Sequence, residues 1–165
     1  MKNNEILNHQ DIINKTRRIA YQILESNVNE KDLILAGIED NGYAFAKLIK
    51  KELNKISEID IILCSVTINK TELLAPIHTS LNKENYKEKS IILVDDVLNS
   101  GGTLMYGVKH FLEVNLKRFK TAVLINRNHK KYPVKADFKG ISLSTSLHEH
   151  VTVNIKNEPF SAVLN

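Results

Sequence analysis

Two adjacent carboxylates, Asp95 and Asp96, separate an apolar run, Ile91-Ile92-Leu93-Val94, from a short link, Val97-Leu98, and a small polar turn, Asn99-Ser100-Gly101-Gly102-Thr103. Acids at the end of a buried strand can accept hydrogen bonds from a sugar diol, or hold Mg²⁺ through water. The turn offers the hydroxyls of Ser100 and Thr103. Its two glycines let the backbone approach a ligand without a Cβ in the way. Beyond it, Leu104, Met105, Val108, Phe111 and Leu112 recur at helical spacing. The pattern therefore predicts a strand feeding a phosphate-sized turn that opens a helix. Unpaired N–H groups and the helix dipole favour an anion at such a start. An ordinary corner whose acids merely cap the helix needs neither two adjacent acids nor two glycines.

The elements that must position this stretch are those of an alternating α/β chain. A helix is predicted over about 8–27, with Ile12, Ile13, Thr16, Ile19, Ala20, Ile23 and Leu24 on one face and Arg17 and Arg18 off it, towards solvent or a partner. The run Leu33–Ile38 reads as a buried parallel strand. Glu39-Asp40-Asn41-Gly42 is a turn, followed by a helix over about 43–55 and a strand over about 59–67 that contains Cys64. Residues 70–89 lack periodicity; they are either a functional lid or a surface excursion. Further strands are predicted at 119–126, 138–143, 151–155 and 160–164. Strands alternating with helices imply a mostly parallel sheet covered on both faces, with ligands at the carboxyl ends of its strands. No repeat or linker interrupts the chain, so one domain is expected over residues 1–165.

Composition narrows the class. The chain has 165 residues, 42% of them hydrophobic and 25% charged, which suits a soluble α/β domain with a sizeable core. No apolar run approaches the roughly 20 residues that span a bilayer, and Met1–Glu5 lacks a signal-peptide core. The single cysteine excludes an internal disulfide and fits a reducing cytoplasm; a small buried hydrophobe is the preferred reading of Cys64. The net charge of +4 comes from lysines scattered among acids, which suits a solvated surface, while phosphate-rich substrates or a modest RNA-binding face stay open. His148 and His150 share a strand face without a third ligand and read as exposed histidines.

The stretch from Ile91 to Thr103 resembles the ribose-phosphate motif of the type I phosphoribosyltransferases. The first helix, the LAGI strand, Ala122–His129, and the tail from Pro133–Phe138 to Ser144–Ser146 follow the order of the pyrimidine-operon attenuator and uracil phosphoribosyltransferase group. That resemblance implies a type I phosphoribosyltransferase fold: a mostly parallel twisted sheet flanked by helices, a mobile lid loop and a small hood. It implies that residues 95–103 (Asp95, Asp96, Val97, Leu98, Asn99, Ser100, Gly101, Gly102 and Thr103) bind phosphoribosyl pyrophosphate. Asp95 and Asp96 would serve Mg²⁺ indirectly. Glu39, Asp40, Asn41 and Gly42 fall on the pyrophosphate loop, and Ile125, Asn126 and Arg127 on the base site.

The implied activity is Mg²⁺-dependent transfer of phosphoribose to a nucleobase, a pyrimidine such as uracil. The alternative is a non-catalytic nucleotide sensor that binds RNA. The implied partners are phosphoribosyl pyrophosphate with a nucleobase or nucleotide, RNA in the regulatory reading, and further copies of the chain in a homodimer or higher homo-oligomer; no membrane is involved.

Three departures from the family pattern bear on the chemistry. Glu39-Asp40-Asn41 replaces a basic residue and Thr-Arg, so two acids stand where a polyanion should dock. Cys64–Asn69 replaces a Tyr-Arg-Asp-Asp cluster near the lid. Gly102 replaces an arginine. Lys70, and less directly Lys83, are the candidate cations for pyrophosphate, though each also reads as a solvated lysine. Arg127 reads as a group for base or phosphate, or as a plain loop arginine. Asn99 stands where purine-specific relatives use an aspartate, which argues against a general base for purines. No catalytic role follows for His129.

Overall fold

The computed structural model describes residues 4–165; Met1–Asn3, and the expectation placed partly on them, lie outside. In chain order the elements are β1 (Asn4–Leu7), α1 (His9–Ser26), β2 (Asp32–Ile38), α2 (Asn41–Ile56), β3 (Asp60–Thr67), β4 (His78–Thr79), α3 (Lys83–Tyr86), β5 (Ser90–Leu98), α4 (Gly102–Phe111), β6 (Arg118–Arg127), β7 (Phe138–Leu143), β8 (Val151–Asn154) and β9 (Ser161–Leu164).

Six strands form the main sheet in the order β4-β3-β2-β5-β6-β7, parallel throughout except for β4. β2 and β5 are continuous apolar runs because helices cover both faces of the sheet, and burial of one such Leu or Ile contributes about 1.5–3 kcal/mol. After β2 the chain moves outward to β3; β5 then returns to the other side of β2. The order reverses between β2 and β5, and ligands bind at the carboxyl ends of strands at such a switch point. A second, antiparallel sheet, β1-β9-β8, forms a hood whose Val153, Phe160 and Ala162 join the core beneath α1 and α2.

Local sequence sets the helix limits. Asn8 and Asp11 form a reciprocal capping box that opens α1: Asn8 Oδ1 accepts from the Asp11 N–H at 2.9 Å, and Asp11 Oδ2 from the Asn8 N–H at 3.0 Å. Arg17 and Arg18 do not simply face solvent. Arg17 pairs with Glu52 of α2, and Arg18 Nη2 donates to the Gly140 carbonyl of β7 at 2.6 Å, so both tie α1 to its neighbours. Cys64 is fully buried, and burial pushes its thiol up.

Residues 70–89 are neither wholly lid nor loose excursion. β4 pairs with β3, and Tyr86 of α3 is buried with its ring 5.0 Å from that of Phe111. A two-residue strand and a four-residue helix are too short to leave a period in sequence. β1 was likewise not anticipated; it pairs with β9, at the far end of the chain. Among the described residues no helix is long and apolar enough to cross a membrane.

Candidate functional site

The carboxyl end of β5 delivers Asp95 and Asp96 to the switch point, and a cleft there is lined by Lys70, Asp95, Val97, Leu98, Asn99, Ser100, Gly101, Thr103, Leu104 and Val123. Sequence reading and structure thus bring most of the 95–103 stretch to one place. Gly101 has φ +87°, a left-handed conformation that favours glycine, and a Cβ there would lie 2.6 Å from Val134 Cγ1. The first backbone bond of α4 runs from the Met105 N–H to the Gly101 carbonyl at 2.9 Å. The N-cap Gly101 has no side chain to cap α4 and Ser100 Oγ accepts the Gly102 N–H at 3.3 Å, while among the described residues the N–H groups of Thr103 and Leu104 have no acceptor. The turn therefore presents free donors and the Thr103 hydroxyl to whatever enters, the chemistry of an oxyanion cradle.

Asp95 is almost wholly buried, and its carboxyl is pushed up to about 8, first by burial and next by the negative charge of Asp96, with Lys70 opposing. Its Oδ1 accepts the Asp96 N–H at 2.9 Å. Asp96 is half-buried, and its Oδ2 accepts from Asn41 Nδ2 at 3.0 Å. The same amide nitrogen donates to the Val153 carbonyl of the hood at 3.1 Å. One asparagine thus joins the β2–α2 turn, the acid pair and the hood. A Cβ on Gly42 would lie 2.9 Å from Asp95 Cα and 3.0 Å from Asp95 Oδ1, so the start of α2 packs directly on the acid pair.

Glu39 and Asp40 sit differently from the ribose-phosphate stretch. Glu39 Oε2 accepts from the Thr67 hydroxyl at 2.9 Å, and Asp40 pairs with Lys156 at 3.2 Å. Both line a neighbouring groove with Lys47, Lys51 and Lys156, not the cleft that holds Asp95. Lys70 does line the cleft. Lys83 is engaged elsewhere, 2.5 Å from Glu113, and does not line the cleft.

At the end of β6, Ile125 is wholly buried. Asn126 is nearly so, with its Oδ1 unpartnered among the described residues and its Nδ2 3.3 Å from Ser142 Oγ. Arg127 is no surface arginine. It is buried, donating through Nη1 to Asn99 Oδ1 at 2.9 Å, Nε to Thr145 Oγ1 at 2.9 Å, and Nη2 to the Ser146 and Glu149 carbonyls at 3.2 and 2.8 Å. His129 contacts the Thr145 hydroxyl, and His148 and His150 are exposed. Among the described residues no three His, Cys, Asp or Glu side chains cluster as metal ligands.

A family model, "Phosphoribosyl transferase domain", matches residues 2–157. The chain belongs to the phosphoribosyltransferase family. It is 34% identical to the Bifunctional protein PyrR of Clostridium beijerinckii over 165 residues, covering 94% of this chain and 93% of the relative. The Bifunctional protein PyrR of Streptococcus agalactiae serotype Ia is 30% identical over 158 residues, covering 94% and 91%. These relatives place the chain in the attenuator group of the family. A solved hypoxanthine-guanine phosphoribosyltransferase of Bacillus anthracis superposes with a TM-score of 0.81 at 19% identity, covering 98% of this chain and 96% of that one. The hypoxanthine phosphoribosyltransferase of Trypanosoma cruzi gives 0.78 at 12%, covering 98% and 95%. At such identities the likeness shows the fold, and it is the type I phosphoribosyltransferase fold.

Sequence reasoning missed the reach of Asn41 to the acid pair and hood. It also missed the bracing of the phosphate turn, where the Ser100 carbonyl accepts the Lys131 and Tyr132 N–H groups at 2.7 and 3.2 Å. Both contacts span long stretches of sequence, and no periodicity announces them. The one available signal was adjacency of the β5 and β6 ends in a parallel sheet.

Proposed function

We propose that the chain transfers the 5-phosphoribosyl group of phosphoribosyl pyrophosphate to a pyrimidine such as uracil, with Mg²⁺. The observation that carries this reading is the cleft that brings together Asp95, Lys70 and the start of α4, where the Thr103 and Leu104 N–H groups have no acceptor among the described residues. Asp95 and Asp96 bind the ribose diol, and the Ser100–Thr103 turn binds the 5-phosphate. Lys70 and the N–H groups at the start of α2 take the pyrophosphate, in place of the cationic loop that relatives carry. The buried acceptor of Asn126 suits a ring N–H of the base.

The donor set fits Mg²⁺ held mostly by water and substrate oxygens. Such an ion needs only one or two carboxylates, and Asp95 is a carboxyl whose charged form lacks solvation until a cation or donor arrives. The bound ion would neutralise charge on the leaving pyrophosphate. In this reading Asp95 and Asp96 position the ribose, and Lys70 and the α2 start stabilise the departing anion. Glu39 and Asp40 offer less opposition than their charges suggest, because Thr67 and Lys156 engage them.

A second reading, a nucleotide-sensing regulator that binds RNA, is favoured by one observation: among the described residues Lys70 is the lone cation lining the cleft. The test is release of pyrophosphate and formation of nucleotide from phosphoribosyl pyrophosphate and uracil. Turnover should occur in the parent and vanish in Asp95→Asn/Asp96→Asn. Tight binding of uridine 5′-monophosphate without any turnover would instead establish the sensor.

A further inference from the structure

We infer that Asn41 is a positioning residue for the acid pair: its amide, anchored on the Val153 carbonyl of the hood, holds one carboxylate oxygen of Asp96 and so aims the other at a ribose hydroxyl. This deepens the transferase reading and rests on it.

Asn41 opens α2, and its Nδ2 lies 3.0 Å from Asp96 Oδ2 and 3.1 Å from the Val153 carbonyl oxygen. A main-chain carbonyl only accepts. The amide atom facing it must therefore be the nitrogen, which fixes an assignment that is otherwise a free choice for asparagine. That nitrogen has two hydrogens, and these two acceptors take both. The Asn41 side chain has no donor left for a pyrophosphate oxygen, and its Oδ1 is an acceptor, the wrong sign for a polyanion. Its effect on a ligand must run through Asp96.

Both ends of this link are fixed. A Cβ on the neighbouring Gly42 would lie 2.7 Å from the Val94 carbonyl oxygen, so the backbone at the start of α2 sits directly on β5. Val153 is buried, and its strand β8 is paired with β9. Asp95 Oδ1 accepts the Asp96 N–H at 2.9 Å, which carries the same chain of bonds on to the first acid. Asp96 itself is only half-buried, and without the amide its carboxylate is free to turn among staggered rotamers. A group that must meet one hydroxyl in one direction works less well once its supporting hydrogen bond is gone.

The measurement is calorimetric binding of uridine 5′-monophosphate and of 2′,3′-dideoxyuridine 5′-monophosphate, at fixed salt and Mg²⁺. The two share base and phosphate and differ only in the hydroxyls assigned to the acid pair. Parent protein should prefer the hydroxylated nucleotide. In Asn41→Ala that preference should shrink by about three- to tenfold, the range for one hydrogen bond, with the dideoxy nucleotide unaffected. In an Asp96→Ala background the same substitution should leave the preference unchanged, because the residue through which it acts is gone. Alanine is a good helix former, so the variant should fold. Asn41→Asp removes both donors at constant size, suits the α2 dipole, and should shrink the preference further by repelling Asp96.

Equal weakening of both nucleotides by Asn41→Ala, an undiminished preference, or an effect that persists in Asp96→Ala overturns the inference and leaves the ribose-phosphate site standing. Loss of folding in both Asn41 variants overturns it too, since Asn41 would then be a structural anchor alone. Equal binding of the two nucleotides by the parent removes the diol from the acid pair and sinks the transferase reading as well.

Discussion

Two turns meet at the switch point of the main sheet, and they are built in opposite ways. The turn after β5, Asn99–Thr103, is open. It has a left-handed glycine, a Ser100 hydroxyl that accepts only the Gly102 N–H, free N–H groups at Thr103 and Leu104 among the described residues, and Thr103 lining a cleft. The turn after β2, Glu39–Gly42, is filled. Glu39 is bound to Thr67, Asp40 to Lys156, and Asn41 to Asp96 and Val153. Both pass from a parallel strand into a helix on adjacent strands, so topology alone cannot separate them. The difference lies in the side chains: those of the second turn are engaged by distant segments, whereas the N-cap residue of neither turn caps its helix through a side chain. In the transferase reading the open turn receives the 5-phosphate, while the side chains of the filled turn hold the acid pair and hood in register beside the pyrophosphate.

The largest expected effect comes from breaking the open turn's chemistry while leaving its backbone intact. Thr103→Ala deletes one hydroxyl donor to a charged phosphate oxygen, which should weaken uridine 5′-monophosphate by about 1.5–3 kcal/mol, roughly ten- to hundredfold. Stability in urea should hardly change. A variant that binds as tightly as its parent would mean that the phosphate does not enter this turn, and the contrast between the two turns would lose its functional meaning.

An intermediate effect sharpens what the filled turn packs against. Asp95 has a folded-state carboxyl raised from 3.8 to about 8, first by burial and then by Asp96. The folded protein therefore keeps a proton that the unfolded chain loses, and the free energy of unfolding falls as pH rises from about 4 towards about 8. Asp95→Asn has no proton to lose. Its melting temperature should match the parent's near pH 4 and exceed it increasingly towards pH 8, by about 2–4 °C for each kcal/mol recovered. Parallel melting curves across that range would place Asp95 in a solvated environment. Ligands that require the ionised carboxylate should release a proton near neutrality, so parental affinity should rise with pH up to about 8.

The contrast also separates what could be read in sequence from what could not. The open turn was legible because all of its chemistry lies within a continuous stretch, Asp95–Thr103, behind an apolar strand. The main strands and α1, α2 and α4 were legible for the same reason: buried runs and helical spacing are local patterns. The contacts of the filled turn were not legible, because Thr67, Asp96, Val153 and Lys156 join it from distant segments. Arg127 was equally opaque. Its burial depends on Thr145, Ser146 and Glu149 folding over it and on Asn99 across the sheet. β1 could be recognised only with its partner β9, about a chain length away.

The smallest effect tests whether the filled turn depends on its charges or on its buried contacts. Asp40 and Lys156 are 3.2 Å apart, but their side chains are 78% and 50% exposed, so the pair should contribute only about 0–1 kcal/mol. The Asn41 bonds to Asp96 and Val153, shielded beneath the hood, should hold the turn without it. Lys156→Ala should therefore change the free energy of unfolding by no more than about 1 kcal/mol. Binding should respond differently from stability. Removing the lysine exposes the charge of Asp40 beside the start of α2, where the pyrophosphate docks in the transferase reading. Phosphoribosyl pyrophosphate should then weaken relative to uridine 5′-monophosphate at low salt. The difference should close at about 1 M salt, where the screening length shrinks to about 3 Å. A larger stability loss would show that the surface pair, not Asn41, anchors the turn. A salt-independent difference would mean that Lys156 touches the ligand itself.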